Sequence, residues 1–322
     1  TIASTSQFLE VREPVWSRFI FEKLELPLGI LPPINPPGTV LGPLLPAVAE
    51  ETGLDGAVVI AVAGHDTASA VAAVPAEGEN CFYLSSGTWS ALGAEVDEPV
   101  VTAATLRDNF TNERGVGSKY MLRKNIMGLW LLQECRRIWA EAGQVHEYAT
   151  LTQMAAQAEP FGAIVEPDHE SFLAPGDMPA RIAAFCRQTG QEPPQGHGAM
   201  ARCILESLAL KYRWVLDRLE ESLGRKAELL HVVGGGSRNQ LLCQLTADAI
   251  GRPVVAGPGE ATTLGNVIVQ AMAQGRIRSL QEGRRLIRRS FGLVTYEPQE
   301  QGQWDEFYAR FIDLKGRSTT LL

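Results

Sequence analysis

Short apolar runs that stop at a glycine turn and give way to a helical pattern organise this chain. Residues 57–63 and 229–233 are unbroken apolar stretches bounded by glycine, the pattern of strands covered on both faces. Residues 81–85 and 253–256 are two further strand candidates. Helical patterns are read at residues 67–74, 126–142, 178–188, 198–223, 239–250, 264–274 and 299–314. Strands that alternate with helices predict an α/β fold. The proline-dense stretch 27–46 has no helical period and is expected to be an extended or looped connector. "PAEGEN", residues 75–80, reads as a hinge between a short N-terminal piece and a larger C-terminal domain. No repeat or low-complexity tract interrupts the pattern.

A chain of 322 residues suffices for one large or two ordinary domains. With 45% hydrophobic and 20% charged residues it reads as globular, and no window approaches a membrane span. The first residues lack the basic start and apolar stretch of a secretory signal, so a cytoplasmic location is expected. A net charge of -8 argues against nucleic acid or an anionic membrane as the main partner. An anionic ligand would therefore rest on backbone amides, a metal or a few local cations. The five cysteines contain no C-x-x-C pair, which excludes a zinc or redox framework of that spacing. Free, buried thiols are the expectation, with Cys186 and Cys203 the one pair placed to approach for a disulfide.

Three glycine-rich turns each follow a strand candidate: "SSGTWS" (85–90), "VVGGGSRN" (232–239) and "AGPGEATTLGN" (256–266). Glycine lets a ligand touch the backbone, and a helix that opens after such a turn offers free N–H groups to phosphate. Three such turns point to a nucleotide. None matches the P-loop or the G-x-G-x-x-G dinucleotide pattern. Asp66 follows the first strand candidate and has two readings. It is either the N-cap of the next helix or a carboxylate that accepts a proton from an attacking hydroxyl, with His65 and Thr67 beside it to hold substrate. No G-x-S-x-G elbow is present. His146, His169, His197 and His231 show no metal-ligand spacing and read as surface or satisfied core residues, and "EGRRLIRRS" (282–290) reads as a solvated helix face.

"AGHDTASAV", "YLSSGTWSALG", "RKNIMGLWLLQE", "ARCILESLALKY" and "HVVGGGSRNQLLCQLTADAIGRPVVAGPGEATTLGN" occur in this order. Together they resemble the C-terminal two thirds of the FGGY carbohydrate kinases, from about Ala3 to near Tyr296. The resemblance implies an actin-like, ribonuclease H-like two-domain fold with ATP and Mg²⁺ in the cleft. It implies transfer of the γ-phosphoryl group to a ketose hydroxyl, and "HDTASAV", "SSGTWS" and "KNIMGLWLLQ" point to O1 of L-rhamnulose. L-fuculose, xylulose or another polyol, or nucleotide binding without catalysis, are the alternatives.

Carried over by position, Asp66 matches the catalytic base, and His65 and Thr67 match neighbours that touch the sugar. Gly87 and Thr88 fall near the ATP phosphates. Asn125 and Gln133, eight apart and so near one face of a helical segment, match nucleotide contacts. Gly235 and Gly236 lie on the adenosine side and Asn239 beside the adenine. No residue is matched to a metal ligand. The family's Asp-x-Gly-Thr phosphate motif is absent from this sequence. Residues 1–76 are thus expected to be the C-terminal part of an incomplete sugar-binding domain, and residues 77–322 the nucleotide-binding domain. Weak or absent turnover is expected from this segment alone.

Overall fold

The computed structural model describes residues 2–78, 80–299 and 302–320. The chain begins with helices α1 (Ile2–Thr5) and α2 (Arg18–Lys23), strand β1 (Val40–Pro43), helix α3 (Pro46–Thr52), strand β2 (Val58–Ile60) and helix α4 (Asp66–Ala72). Strands β3 (Phe82–Ser86) and β4 (Trp89–Val96), helix α5 (Ala103–Arg107), and strands β5 (Thr111–Arg114) and β6 (Tyr120–Met127) follow. Four helices come next: α6 (Trp130–Glu141), α7 (Tyr148–Gln157), α8 (Met178–Gln188) and α9 (Gly196–Leu223). The order then runs β7 (Leu230–Val233), α10 (Gln240–Ile250), β8 (Val254–Ala256), α11 (Ala261–Ala273), α12 (Leu280–Ser290), β9 (Val294–Tyr296) and α13 (Gly302–Thr320). No described helix is long and apolar enough to cross a membrane. All five cysteines are buried free thiols.

The chain forms two compact units: residues 1–81, 93–123 and 260–292, and residues 82–92, 124–259 and 293–322.

In the first unit α4 is a helix of small residues, with Ala68 to Ala72 buried. Small side chains let α11 come close. A Cβ at Gly265 would lie 1.8 Å from the Ser69 carbonyl oxygen, so only glycine fits at that crossing. Ser69 Oγ donates to Asn266 Oδ1 at 2.8 Å, and Thr262 Oγ1 donates to the Asp66 carbonyl at 3.3 Å. The other end of α4 is held by Arg284 of α12, whose Nη2 donates to the Val71 carbonyl at 2.9 Å while Nη1 and Nη2 reach both oxygens of buried Glu95. This corrects the reading of residues 282–290 as a solvated face: the segment is a helix, but Arg284 is fully buried. Its fork satisfies a carboxylate and two helix carbonyls at once, which makes such burial tolerable.

The first strand candidate is also corrected. Only Val58–Ile60 forms a strand, its one partner among the described residues is β1, and Val58 is 46% exposed. An apolar run alone does not say whether anything packs on it. The connector at 27–46 carries β1 at its end and a short turn of 3₁₀ helix at Leu28–Ile30. Of the hinge stretch, Glu79 lies outside the described residues; Pro75 accepts from Arg288 Nη1 at 3.1 Å.

In the second unit the strand order is β6-β4-β3-β7-β8-β9, with β4 and β6 entering through residues 89–92 and 124–127. β3, β7 and β8 are parallel, in register Tyr83↔His231 and His231↔Val255, and β9 closes the edge antiparallel. β3, β7 and β8 match the sequence candidates within a residue. The helix read at 126–142 starts only at Trp130, because residues 120–127 are strand. Gly128 forces the break: a Cβ there would stand 2.5 Å from Ser90 Oγ and 2.8 Å from the Gly87 carbonyl. α9 is buried along most of its 28 residues, and its Lys211 is ion-paired with Glu166 at 2.5 Å and Asp168 at 2.8 Å. The helix read at 299–314 runs from Gly302, and its residues 300 and 301 lie outside the described part.

Candidate functional site

Asp66 is the first residue of α4, one place past the N-cap, which is His65. The capping reading is therefore corrected. Its Oδ1 accepts from the adjacent Thr67 N–H at 2.6 Å and lies 3.4 Å from Thr67 Oγ1. His65 Nε2 stands 3.2 Å from the same oxygen. All these contacts fall on Oδ1, while Oδ2 has no hydrogen bond among the described residues and the side chain is 79% exposed. One oxygen fixes the carboxylate and the other is free for a ligand. Bonds from α11 and α12 to the α4 backbone set the orientation of the helix that carries it.

No sequence pattern points to what stands behind His65. Its Nδ1 lies 3.2 Å from Glu113 Oε2 on β5, outside hydrogen-bond geometry. Glu113 in turn holds Arg123 Nη2 at 2.5 Å. The hairpin register explains this pair. Glu113 stands opposite Met121, and Arg123 is two residues along on the same face, so the two are diagonal neighbours. Burial pushes the Glu113 carboxyl up, but His65 and Arg123 outweigh it and hold the group below the usual carboxylate range. Thr111–Arg114 has no apolar alternation, so no pattern in the sequence marks Glu113 as inward-facing.

The second unit holds a cavity of about 1090 Å³. Gly87, Thr88, Gln133, Gly235, Gly236 and Asn239 all line it. Asn125 does not. It is exposed on β6 and shares no helical face with Gln133, which lies on α6. Sequence reasoning missed Tyr148, Thr152 and Gln153 of α7, Gln240 and Gln244 of α10, and Tyr296 of β9. Three of these are on a helix that the reading did not detect.

The three glycines after β7 do different work. Gly234 has φ +85°, and a Cβ at Gly236 would be 2.0 Å from Ser86 Oγ, so both serve packing. Gly235 has open space where a Cβ would stand, and so bares its backbone to the cavity. Asn239 caps α10, its Oδ1 accepting from Leu242 N–H at 3.0 Å, which leaves Nδ2 as the donor to a ligand. Gln244 is reversed: its Nε2 donates to Asp248 and to the Glu297 carbonyl, each at 2.8 Å, which leaves Oε1 as an acceptor. Arg136 lies 4.5 Å from the Tyr148 ring centre and steadies that wall. Although the chain carries net charge -8, among the described residues no carboxylate lines the cavity, and Arg238 is the one ionised side chain in its lining. A large cavity of glycine backbone, amides and tyrosines without acidic groups suits an anionic ligand with a flat ring.

His146 Nε2 and His197 Nδ1 are 2.8 Å apart, with His197 stacked on Trp139, so two histidines read as scattered meet. Among the described residues, no group of three or more His, Cys, Asp or Glu could hold a metal ion.

Comparison with known proteins gives a consistent result. The C-terminal domain of the FGGY family of carbohydrate kinases matches residues 82–274, and its N-terminal domain matches residues 1–73. A rhamnulokinase from Bacteroides thetaiotaomicron is 48% identical over 97% of this chain and 63% of its own length. A rhamnulokinase from Oceanobacillus iheyensis is 41% identical over 92% of this chain and 62% of its own length. The chain thus spans under two thirds of the curated relatives it matches. Among solved structures, a gluconate kinase from Lactobacillus acidophilus has a TM-score of 0.77 at 18% identity, over 98% of this chain and 63% of its own. A glycerol kinase from Plasmodium falciparum with ADP has a TM-score of 0.71 at 15% identity, over 97% and 60%. These two likenesses concern the fold alone.

Proposed function

Because this chain belongs to the FGGY family of carbohydrate kinases, with that family's actin-like α/β fold, we propose that its function is ATP-dependent sugar phosphorylation. The acceptor is O1 of L-rhamnulose, and the products are L-rhamnulose 1-phosphate and ADP. The names of the relatives reported above support this sugar. Residues 1–76 are assigned to the sugar-binding domain and 77–322 to the nucleotide-binding domain, since the two family matches break between 73 and 82. The cytoplasm is the location proposed with this activity.

One observation carries the reading: a carboxylate fixed through Oδ1 with Oδ2 open. Asp66 takes the proton of the sugar hydroxyl as its oxygen bonds to the γ-phosphorus. The bond from that phosphorus to the bridging oxygen of ADP breaks in the same displacement. His65 and Thr67 hold the sugar. Gly87 and Thr88 lie at the phosphates, and Gln133, Gly235, Gly236 and Asn239 hold the nucleoside. Asn125 is assigned to the nucleotide by resemblance alone. Mg²⁺ enters on the phosphates, as part of the MgATP substrate.

The test is sugar-dependent ADP release under single-turnover conditions, with protein in excess over ATP. The expected result is release with L-rhamnulose that exceeds release with L-fuculose or xylulose. Because weak turnover is expected from this segment alone, the assay is run beside a chain that also carries the family's N-terminal phosphate-motif segment. Tight ATP binding with no release by either chain from any of these sugars would refute the proposal.

A further inference from the structure

Most polar groups that line the cavity of the second unit can turn to suit what they meet. Gln133, Gln153 and Gln240 make no side-chain hydrogen bond among the described residues, so each amide can offer either its oxygen or its NH₂ group. A tyrosine hydroxyl, as on Tyr148 and Tyr296, donates or accepts. Gln244 has no such freedom. Its Nε2 donates to Asp248 Oδ1 and to the Glu297 carbonyl, each at 2.8 Å, so both amide hydrogens are spent. Neither partner donates in return: one is a backbone carbonyl, and Asp248 Oδ1 already accepts from the Gln299 N–H at 2.8 Å. The amide cannot flip, because its oxygen would then face two acceptors. Oε1 is the polar end of Gln244 left for the cavity, and it can only accept.

We propose that Gln244 sets the base preference of the site: its Oε1 accepts from the exocyclic amino group of adenine and turns away a base with an oxygen at that position. This deepens the proposed function and rests on the cavity being the ATP site. Adenine carries an amino donor at C6, where guanine and hypoxanthine carry a carbonyl oxygen. An oxygen there sets acceptor against acceptor, in a group with no second orientation to offer. A polar group left unpaired in this way is a strong means of rejecting a near-isostere. Asn239 does not choose. Its Oδ1 is spent on the Leu242 N–H, so it presents a donor that fits a ring nitrogen of any purine. Cytosine also bears an amino group; that the base is a purine comes from the proposed function. Gln244 acts on specificity through binding and takes no part in bond-making.

The test is calorimetry on the unmodified chain with the magnesium complexes of ATP, purine riboside 5′-triphosphate and inosine 5′-triphosphate. These carry at C6 an amino group, a hydrogen and an oxygen. Affinity is expected to fall about tenfold on loss of the amino group, the scale of one hydrogen bond, and further when oxygen takes its place. In Gln244→Met, which keeps the length and removes the acceptor, the three nucleotides should bind within about twofold of one another. That convergence separates the proposal from a structural role, since a loosened α10 weakens all three alike and leaves their ratios as they were. Ratios in the variant equal to those of the unmodified chain overturn the proposal. If Gln244→Met fails to fold, the unmodified chain still decides: a loss of about tenfold without the amino group supports the proposal, and equal binding overturns it. Equal binding of all three leaves the kinase reading standing, whereas binding of none ends both. Selective ATP binding without sugar-dependent ADP release ends the kinase reading alone.

Discussion

Replacing Gly265 by alanine should damage both stability and turnover, because α4 and α11 touch at that residue. The added Cβ would stand 1.8 Å from the Ser69 carbonyl oxygen and 2.6 Å from its carbon. A comfortable contact needs about 3.2 Å, so the helices must part by roughly 1.4 Å, and the obstacle is backbone that no rotamer change can clear. Overpacking of this kind costs about 3 kcal/mol, offset by about 1 kcal/mol from the better helix propensity of alanine. A net loss of about 2 kcal/mol should lower Tm by roughly 3 °C for a chain of this size, since the unfolding entropy is about 2.1 cal/mol/K per residue. The displaced helix carries Asp66 at its first position, and a shift of about 1 Å there should cost on the order of 10²-fold in kcat. Thermal melting followed by circular dichroism and single-turnover ADP release measure the two effects. A variant with unchanged Tm and a rate within twofold would refute the close-packing argument.

Gly235→Ala is the opposite case. With open space at its Cβ position, Tm should move by less than about 2 °C, while ATP affinity measured by calorimetry should fall about tenfold as the methyl group enters the cavity. Arg284→Met strands the buried Glu95 carboxylate and should cost about 3–5 kcal/mol in urea unfolding, and Arg284→Met with Glu95→Gln should recover part of it. Stability should also depend on pH. Glu113 and Glu166 are buried, yet their basic neighbours hold both below the ordinary carboxylate value of 4.5, so their stabilisation is present above that value and is lost as pH falls through the lower folded values. Burial lowers Lys211, but Glu166 and Asp168 hold it above 10.5, so its share is full below 10.5 and is lost only as pH rises past that higher value. Urea midpoints should thus fall on the acid side, and a flat midpoint down to about pH 3 would contradict the ion-pair assignments.

Of the parallel strands of the second unit, β7 could be read from its apolar run bounded by glycine, and β3 and β8 lie within a residue of their candidates. Helices α8, α9 and α10 were equally clear from period and caps: Asn239 begins α10 and Gly251, at φ +66°, ends it. The β5–β6 hairpin was not legible, because its pattern is set by what stands opposite: Glu113 and Arg123 face inward to meet each other and His65. β2 misled for the converse reason. Its valines are apolar, yet they are exposed on a two-stranded sheet. In the site, glycines and Asn239 could be found because their roles are local in sequence. Gln244, Tyr148 and Tyr296 could not, because only the fold brings them to one cavity. Arg284 was read as solvated because its partners, Glu95 and the end of α4, are some 190 and 213 residues away in sequence.

Asp66→Asn tests the central claim most directly. The amide keeps the shape and the Oδ1 contact with Thr67 N–H but cannot accept a proton. Rhamnulose-dependent ADP release should fall by at least about 10³-fold while ATP affinity stays within twofold. Substantial turnover from that variant would contradict the assignment of Asp66 as the base.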